Sequence, residues 1–168
     1  QQAEHLAEYL RTHELAPTGD AIVSSPLSRA FDTARAIGNA LGIARIGTDP
    51  DLQERSYGVA EGLTLVQREA KWPEGNWPGL EEWDHVRVRA MRALNRIAAN
   101  HLGEHVFTVC HGGLINSILS VLSAGEIGTG KTTIINTSIT TLTSDGNGWR
   151  IEGVNETPHL DLDSAHIR

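Results

Sequence analysis

Residues 106–113 have the sequence VFTVCHGG, in which an apolar, β-branched run leads without alternation into a histidine and two glycines. An unbroken run of this kind is typical of a parallel strand that is buried on both faces. After the glycines, Ile115 and Ile118 recur at helical spacing, so a helix is predicted to begin directly after His111. The stretch predicts a strand-to-helix junction of an α/β protein, at the sheet edge where such proteins bind ligands.

A second junction of the same kind is predicted earlier in the chain. Residues 21–23 form a short apolar strand pattern, and Ser25-Pro26 predicts the N-cap and first position of a helix with Arg29 in its first turn. The N–H groups of a helix start and the guanidinium fork of Arg29 suit phosphate oxygens, and the glycine pair after His111 lets an anion approach the backbone. If the two strands are neighbours, Arg29 and His111 converge on one phosphoryl group.

The rest of the chain alternates between helix and strand patterns, which predicts a three-layer α/β/α sandwich with a mostly parallel central sheet. No linker or repeat interrupts the pattern, so a single domain over residues 1–168 is expected. The remaining predicted elements are helices at 1–15, 26–41, 63–71, 80–102 and 112–123 and strands at 43–46, 132–142 and 149–154.

Composition narrows the class of protein. The 168 residues carry a net charge of −7 without a Lys/Arg block, which argues against broad attraction to nucleic acid. No apolar run has the length of a membrane span, so no membrane partner is expected. Cys110 is the single cysteine, so an internal disulfide is excluded and a cytoplasmic location is expected. A homodimer is compatible with the sequence, which does not define the oligomeric state.

Taken in order, the motifs resemble those of the histidine phosphatase superfamily, the phosphoglycerate mutase-like phosphoryl-transfer enzymes. PGLEEW, at residues 78–83, is similar to a family segment that usually contains Gly-Glu-Ser where this chain has Leu80-Glu81-Glu82. The other matching stretches are SSPLSRAFDTA (24–34), LQERSYGVAEG (52–62), VCHGGLI (109–115) and NETPHL (155–160). The resemblance implies a phosphoglycerate mutase-like fold over nearly the whole chain.

The resemblance also implies the roles of individual residues. Arg29 would bind the phosphoryl oxygens, while His111 and the backbone of Gly112 would hold the phosphoryl group and stabilise charge in the transition state. Glu54 would protonate the leaving oxygen and then activate water, with Glu61 as a supporting carboxylate. Cationic side chains supply the positive charge, so neither a metal nor another cofactor is expected. The expected ligand is a small phosphorylated substrate or inorganic phosphate.

One departure from the family concerns the nucleophile. The family signature opens with Arg-His-Gly at the end of its first strand, and that histidine becomes phosphorylated; no Arg-His-Gly occurs here. The opening stretch resembles the helix that follows this loop, and it has neither an N-cap before it nor an initiating methionine. The sequence therefore predicts an N-terminally truncated domain with negligible activity of its own.

The expected function is that of a phosphomonoester hydrolase acting through a phosphohistidine. Mutase-type phosphoryl transfer and an inactive phospho-ligand-binding domain are the alternatives; the short segment after Gly62 favours hydrolysis. Tryptophans 72, 77 and 83 suggest an apolar wall for a bulkier ester. GEIGTGKT, at residues 125–132, matches the P-loop pattern, but a P-loop follows a strand and opens a helix, whereas a helix pattern precedes this stretch and β-branched residues follow it.

Overall fold

The computed structural model describes residues 2–13 and 21–161. Within these ranges, none of the helices combines the length and the apolar composition that a membrane span needs. Short 3₁₀ helices occupy Pro50–Leu52 and Gly58–Ala60. The remaining elements are α1 (Gln2–Thr12), β1 (Ala21–Ser24), α2 (Ser28–Leu41), β2 (Ile46–Thr48), α3 (Leu65–Lys71), α4 (Trp83–Asn100), β3 (Val106–Val109), α5 (Gly112–Leu122), β4 (Ile139–Ser144), β5 (Trp149–Glu156) and α6 (Pro158–Asp161).

The strands of the described residues form two sheets. One is parallel, in the order β2-β1-β3, and the other is the antiparallel pair β4-β5. In the parallel sheet, Ser24 at the end of β1 is level with Val109 at the end of β3. β1 and β3 are therefore neighbours, as the convergence of Arg29 and His111 requires. The segments that follow the two strands leave the sheet at the same edge.

Helices cover both faces of the parallel sheet. Ile22 packs among buried residues of α1 and α2, whereas its neighbour Val23 points to the opposite core, formed with α4 and α5. Such alternation follows from the two-residue period of a strand. Two helical layers around a parallel sheet confirm the predicted three-layer α/β/α class.

The start of α2 differs from the prediction. Its N-cap is Leu27, which makes no side-chain capping bond, so the predicted N-cap at Ser25 is wrong. The Ser25 N–H donates to the Val109 carbonyl at 2.8 Å, and the Ser25 hydroxyl lies 2.9 Å from Nε2 of His111. Ser25 thus extends the β1–β3 ladder by one residue. Its hydroxyl also accepts from the N–H of Leu27 at 3.3 Å, so it contacts the residue before α2 without being the N-cap.

Two predicted strands are shifted along the chain. At the end of α2, Gly42 adopts a left-handed conformation and the Ile43 N–H donates to the Gly38 carbonyl at 2.9 Å. Because the Ile43 N–H is bonded to the end of the helix, it is not available to a strand at 43–46 as predicted. The strand β2 forms at Ile46–Thr48 instead.

The predicted strand at 132–142 is confirmed only in its last part, where β4 begins at Ile139 and pairs with β5. The backbone before it bonds to asparagine side chains instead of a neighbouring strand. The Asn116 amide donates to the Thr132 carbonyl at 2.9 Å, and the Asn155 amide donates to the Thr133 carbonyl at 3.0 Å. These local partners replace a sheet ladder.

The glycine-rich stretch 125–132 forms a loop packed against α5. A Cβ on Gly128, whose φ is +105°, would lie 2.3 Å from the Asn116 carbonyl oxygen. The Lys131 ammonium donates to the Gly125 carbonyl at 2.6 Å. No helix follows Lys131 before β4 in this fully described part of the chain, so the loop lacks the strand–loop–helix context of a P-loop.

Candidate active site

Arg29, Glu54, His111 and Gly112 line one cavity. Arg29 comes from the first turn of α2 after β1, and His111 directly follows β3. Glu54 lies in the loop between β2 and α3. The structure therefore places these residues on one cavity, and the charges of Arg29 and Glu54 both act on the pKa of His111, although the roles of the residues stay predictions.

His111 is the N-cap of α5 and is almost completely buried. Its Nε2 lies 2.9 Å from Oγ of Ser25, a bond that fixes the ring relative to β1. Burial lowers the pKa of His111, the charge of Arg29 acts in the same direction, and the Glu54 carboxylate opposes them. Neutral imidazole is favoured near neutral pH as a result, and the pKa is sensitive to charges at both junctions.

The Glu54 carboxylate lies against the first turn of α5. Its Oε2 accepts from the Gly113 N–H at 3.3 Å, and its Oε1 accepts from the Arg55 N–H at 2.9 Å. A Cβ on Gly113 would lie 2.5 Å from Oε1, whereas one on Gly112 would make an ordinary 3.5 Å contact with Ile134. The absence of a side chain at Gly113 therefore leaves room at the helix start for the carboxylate of Glu54, rather than for a bound anion.

Arg29 is exposed at the start of α2. Within the part of the chain that the structure describes, no carboxylate lies within ion-pair distance of its guanidinium. Arg35, further along the same helix, is within 3.9 Å of Asp32. An arginine without an internal carboxylate, at a helix start beside a buried histidine, is suited to bind an external anion.

Arg89 of α4 was not singled out from the sequence. Its Nη1 donates to the carbonyls of Asp51 and Gln53, at 2.8 and 2.7 Å. Its Nη2 donates to the Glu54 carbonyl at 3.1 Å, and its Nε donates to the Glu81 carboxylate at 2.7 Å. Arg89 thus positions the loop that carries Glu54.

Two more arginines of α4 hold the beginning of the same loop. Arg92 and Arg96 both donate to the Asp51 carboxylate, and Arg96 also donates to Asp49. The hydrogen bond from Arg92 is the main cause that holds the pKa of Asp51 well below its usual range, although partial burial opposes it. The signal in the sequence was the spacing of Arg89, Arg92 and Arg96, which places them on one face of a helix.

Glu81 and Glu61 have structural contacts in this region. Glu81, which stands in the segment where the family usually has Gly-Glu-Ser, accepts from the Ser56 N–H at 3.0 Å as well as from Arg89. Glu61 is exposed, and its carboxylate accepts from the Tyr57 N–H at 2.7 Å. Glu61 therefore stabilises the turn after Glu54, while Glu54 is the carboxylate that contacts α5.

The three tryptophans do not form one continuous wall. Trp77 stacks on Tyr57 with ring centroids 6.4 Å apart, and Trp72 tilts against Trp77 at 5.5 Å. Trp83 lies apart from them, under the Arg55 guanidinium at 4.2 Å. None of these three tryptophans is among the residues that line the cavity of Arg29 and His111. The tryptophans instead pack the segment between Gly58 and α4.

Cys110, the residue before His111, is not suited to act as a nucleophile. Burial raises the pKa of Cys110 to about 12, so the residue before His111 is a protonated thiol and a poor nucleophile. Within residues 2–13 and 21–161, no group of three or more His, Cys, Asp or Glu side chains could gather around a metal ion.

Comparison with known proteins assigns the family. The model of the histidine phosphatase superfamily (branch 1) matches residues 1–157. The chain belongs to this superfamily. A curated relative is the uncharacterized phosphatase PhoE of Bacillus subtilis, 31% identical over 159 residues that cover 95% of this chain and 80% of PhoE. Another is a metal-independent phosphoserine phosphatase of Arabidopsis thaliana, 32% identical over 83% of this chain and 63% of its own length.

The solved structures agree with this assignment. A mycobacterial glucosyl-3-phosphoglycerate phosphatase, solved as a complex with VO3, is 27% identical and superimposes with a TM-score of 0.76 over 93% of this chain and 84% of its own. The predicted superfamily and phosphoglycerate mutase-like fold are therefore confirmed for this chain.

Proposed function

We propose that this histidine phosphatase hydrolyses phosphomonoesters of small metabolites through a phosphohistidine intermediate, and that polypeptide outside residues 1–168 supplies the nucleophilic histidine. The observation that carries the proposal is the cavity shared by Arg29, His111 and Glu54. It combines a guanidinium that pairs with no carboxylate of the described residues, a buried imidazole and a carboxylate at a helix start, which are groups that phosphoryl transfer requires.

The chemistry assigns one task to each residue. The nucleophilic histidine attacks phosphorus while the P–O bond to the leaving group breaks, and Arg29 and His111 hold the phosphoryl oxygens. Protonated Glu54 transfers its proton to the leaving oxygen. Water then attacks the phosphohistidine, its proton passes to Glu54, and the P–N bond breaks to give inorganic phosphate.

The positions of the described histidines support a nucleophile from outside residues 1–168. Two described histidines besides His111 line the cavity, and both His101 and His105 precede β3. They lie near the amino end of the strand, whereas His111 follows its carboxyl end. At about 3.3 Å per residue, the length of β3 separates His101 and His105 from Arg29 and Glu54, so neither histidine is placed to attack a phosphoryl group held there.

Two proteins test the proposal: residues 1–168, and the same chain preceded by a strand that ends in Arg-His-Gly. We expect the extended protein to release inorganic phosphate from p-nitrophenyl phosphate and serine phosphate, and residues 1–168 to show negligible turnover. Equal turnover of the two would show that the nucleophile lies within the chain. Inorganic phosphate binding without turnover by the extended protein would favour a phospho-ligand-binding domain instead.

A matched pair of variants tests Arg29 in the extended protein. Arg29→Ala should lower kcat/KM roughly 100- to 1000-fold, the usual effect of removing a group that stabilises charge in the transition state. Arg35→Ala, on the same helix and paired with Asp32, should leave kcat/KM within about twofold. Similar losses in both variants would contradict a specific role for Arg29.

A further inference from the structure

The hydroxyl of Ser25 lies between the backbone of the β1–α2 junction and the ring of His111. Its Oγ accepts from the Leu27 N–H at 3.3 Å and lies 2.9 Å from Nε2 of His111. A serine hydroxyl has one proton to donate and two lone pairs that accept. The Leu27 N–H uses one lone pair, so the contact with His111 involves either the hydroxyl proton or the second lone pair.

The burial of Ser25 decides between these two arrangements. Ser25 is 0% exposed, so neither solvent nor a bound ligand reaches its hydroxyl. Among the described residues, Nε2 of His111 is the one acceptor to which this hydroxyl can donate. If Nε2 carried a proton, the hydroxyl would be a buried donor without an acceptor, which is costly. The Ser25 hydroxyl therefore donates to Nε2, and Nε2 carries no proton.

The closed surroundings of Ser25 contrast with those of the neighbouring strand β3. All four residues of β3 are only half-buried, so the prediction that both its faces are buried is wrong for this chain. Ser24 and Ser25, at the end of β1, are each 0% exposed. Water therefore does not compete with Nε2 of His111 for the Ser25 hydroxyl.

The other ring nitrogen of His111 is the one that a ligand can reach. Nδ1 makes no hydrogen bond with the described residues, and it is not among their fully enclosed polar atoms that lack a partner. His111 lines the same cavity as Arg29 and Glu54. Burial lowers the pKa of His111, so the ring is neutral near neutral pH and its single proton lies on Nδ1 when Nε2 accepts.

We propose that Ser25 is a positioning residue that holds neutral His111 in the tautomer with the proton on Nδ1, so that Nδ1–H donates to a phosphoryl oxygen. The hydrogen bond at one ring nitrogen determines which tautomer the ring adopts. With the proton on Nε2, the ring would turn a lone pair toward the anionic phosphoryl group and repel it. The inference rests on the proposed function for its ligand, whereas the tautomer is a property of residues 1–168 by themselves.

Ser24 provides a matched control for Ser25. It has the same side chain, the same complete burial and the preceding position in the chain. Its hydroxyl donates to the Ser25 carbonyl at 2.9 Å and forms no hydrogen bond with His111. Alanine at either position removes a buried hydroxyl, so a general loss of packing affects both variants. Only the change at Ser25 removes a partner of the imidazole.

Nitrogen NMR of isotopically labelled residues 1–168 tests the tautomer without relying on activity. Above the unperturbed histidine pKa of about 6.5, protonated and unprotonated ring nitrogens have widely separated shifts, and couplings to the ring protons distinguish Nδ1 from Nε2. His111→Gln identifies the signals of His111. We expect the proton on Nδ1 in the unmodified chain and in Ser24→Ala. In Ser25→Ala, the ratio of the tautomers should shift toward Nε2–H by roughly fivefold, the usual weight of one hydrogen bond.

Turnover by the extended protein tests the consequence for the site. Only molecules with the proton on Nδ1 are competent, so kcat/KM for p-nitrophenyl phosphate should fall in Ser25→Ala by the factor by which their population falls. Ser24→Ala should leave kcat/KM unchanged. Ser25→Cys, whose thiol is a weaker donor, should give an intermediate tautomer ratio and an intermediate kcat/KM. It replaces Ser25→Ala if circular dichroism shows that variant to be unfolded.

The outcomes separate the role of Ser25 from the proposed function. A proton on Nε2 in the unmodified chain would overturn the inference, and so would equal tautomer shifts in Ser24→Ala and Ser25→Ala. A lower kcat/KM of Ser25→Ala without a change of tautomer would make Ser25 a packing residue and overturn the inference as well. The expected tautomers in an extended protein that has no turnover would uphold the role of Ser25 and contradict the nucleophile assignment.

Discussion

The two strand-to-helix junctions have similar sequence patterns but use their helix starts differently. At the β3–α5 junction, the Gly113 N–H binds the carboxylate of Glu54. At the β1–α2 junction, the exposed Arg29 has no carboxylate partner among the described residues. One junction therefore positions a group of the protein, and the other leaves a guanidinium that we propose to bind a phosphoryl group. The difference teaches that a glycine-rich helix start does not by itself indicate a ligand site, because its N–H groups can bind a carboxylate of the same protein.

Removal of the Arg89 side chain should have the largest effect on the junction that holds Glu54. Arg89→Ala removes the hydrogen bonds that hold the Glu54 loop and leaves the mostly buried Glu81 without its main ion-pair partner. We expect the free energy of unfolding to fall by about 2–4 kcal/mol. Urea unfolding of residues 1–168 measures this change.

The control lies on the same helix. Arg87→Ala breaks an ion pair with Asp84, whose side chain is 86% exposed, and should cost less than about 1 kcal/mol because surface pairs contribute little. Equal losses in the two variants would show that Arg89 does no more than an ordinary surface arginine, and that Glu54 is positioned by other contacts.

The sequence predicted the layers and both junctions, because apolar periodicity depends on burial against neighbouring elements. It did not predict the contacts that cross between elements. The role of Arg89 depends on carbonyls of residues 51–54, which lie more than 30 positions earlier in the chain. Ser25 was predicted to be a helix cap from its neighbours Ser24 and Pro26. Its contact with His111 spans 86 positions and could not be read from that local pattern. Local patterns carry no information about such partners.

Gly113→Ala should sharpen the comparison by separating stability from activity. The new Cβ would lie 2.5 Å from Oε1 of Glu54, so the carboxylate must move, while alanine is the better helix former by up to about 1 kcal/mol. In the extended protein, we expect kcat for serine phosphate to fall roughly tenfold, a small share of the usual contribution of a general acid. The free energy of unfolding should stay constant or rise.

Gly112→Ala is the matched control, since its Cβ would make only an ordinary contact with Ile134. It should gain similar helix propensity with little change in the position of Glu54. If Gly112→Ala lowered kcat as much as Gly113→Ala, the two glycines would act alike, and both would serve the approach of the phosphoryl group, as the sequence suggested.

The smallest expected effect connects the two junctions through the pKa of His111. Burial is the main cause that lowers this pKa, and the charge of Arg29 adds to it, so Arg29→Ala should raise the pKa only slightly in an NMR titration. Because the native pKa lies below the unfolded value of about 6.5, the unfolded chain binds the proton first as pH falls. Stability is therefore lost from about pH 6.5 down to the native pKa, and this loss should be smaller in Arg29→Ala. An unchanged His111 pKa in that variant would mean that the guanidinium lies too far away for both residues to hold one phosphoryl group.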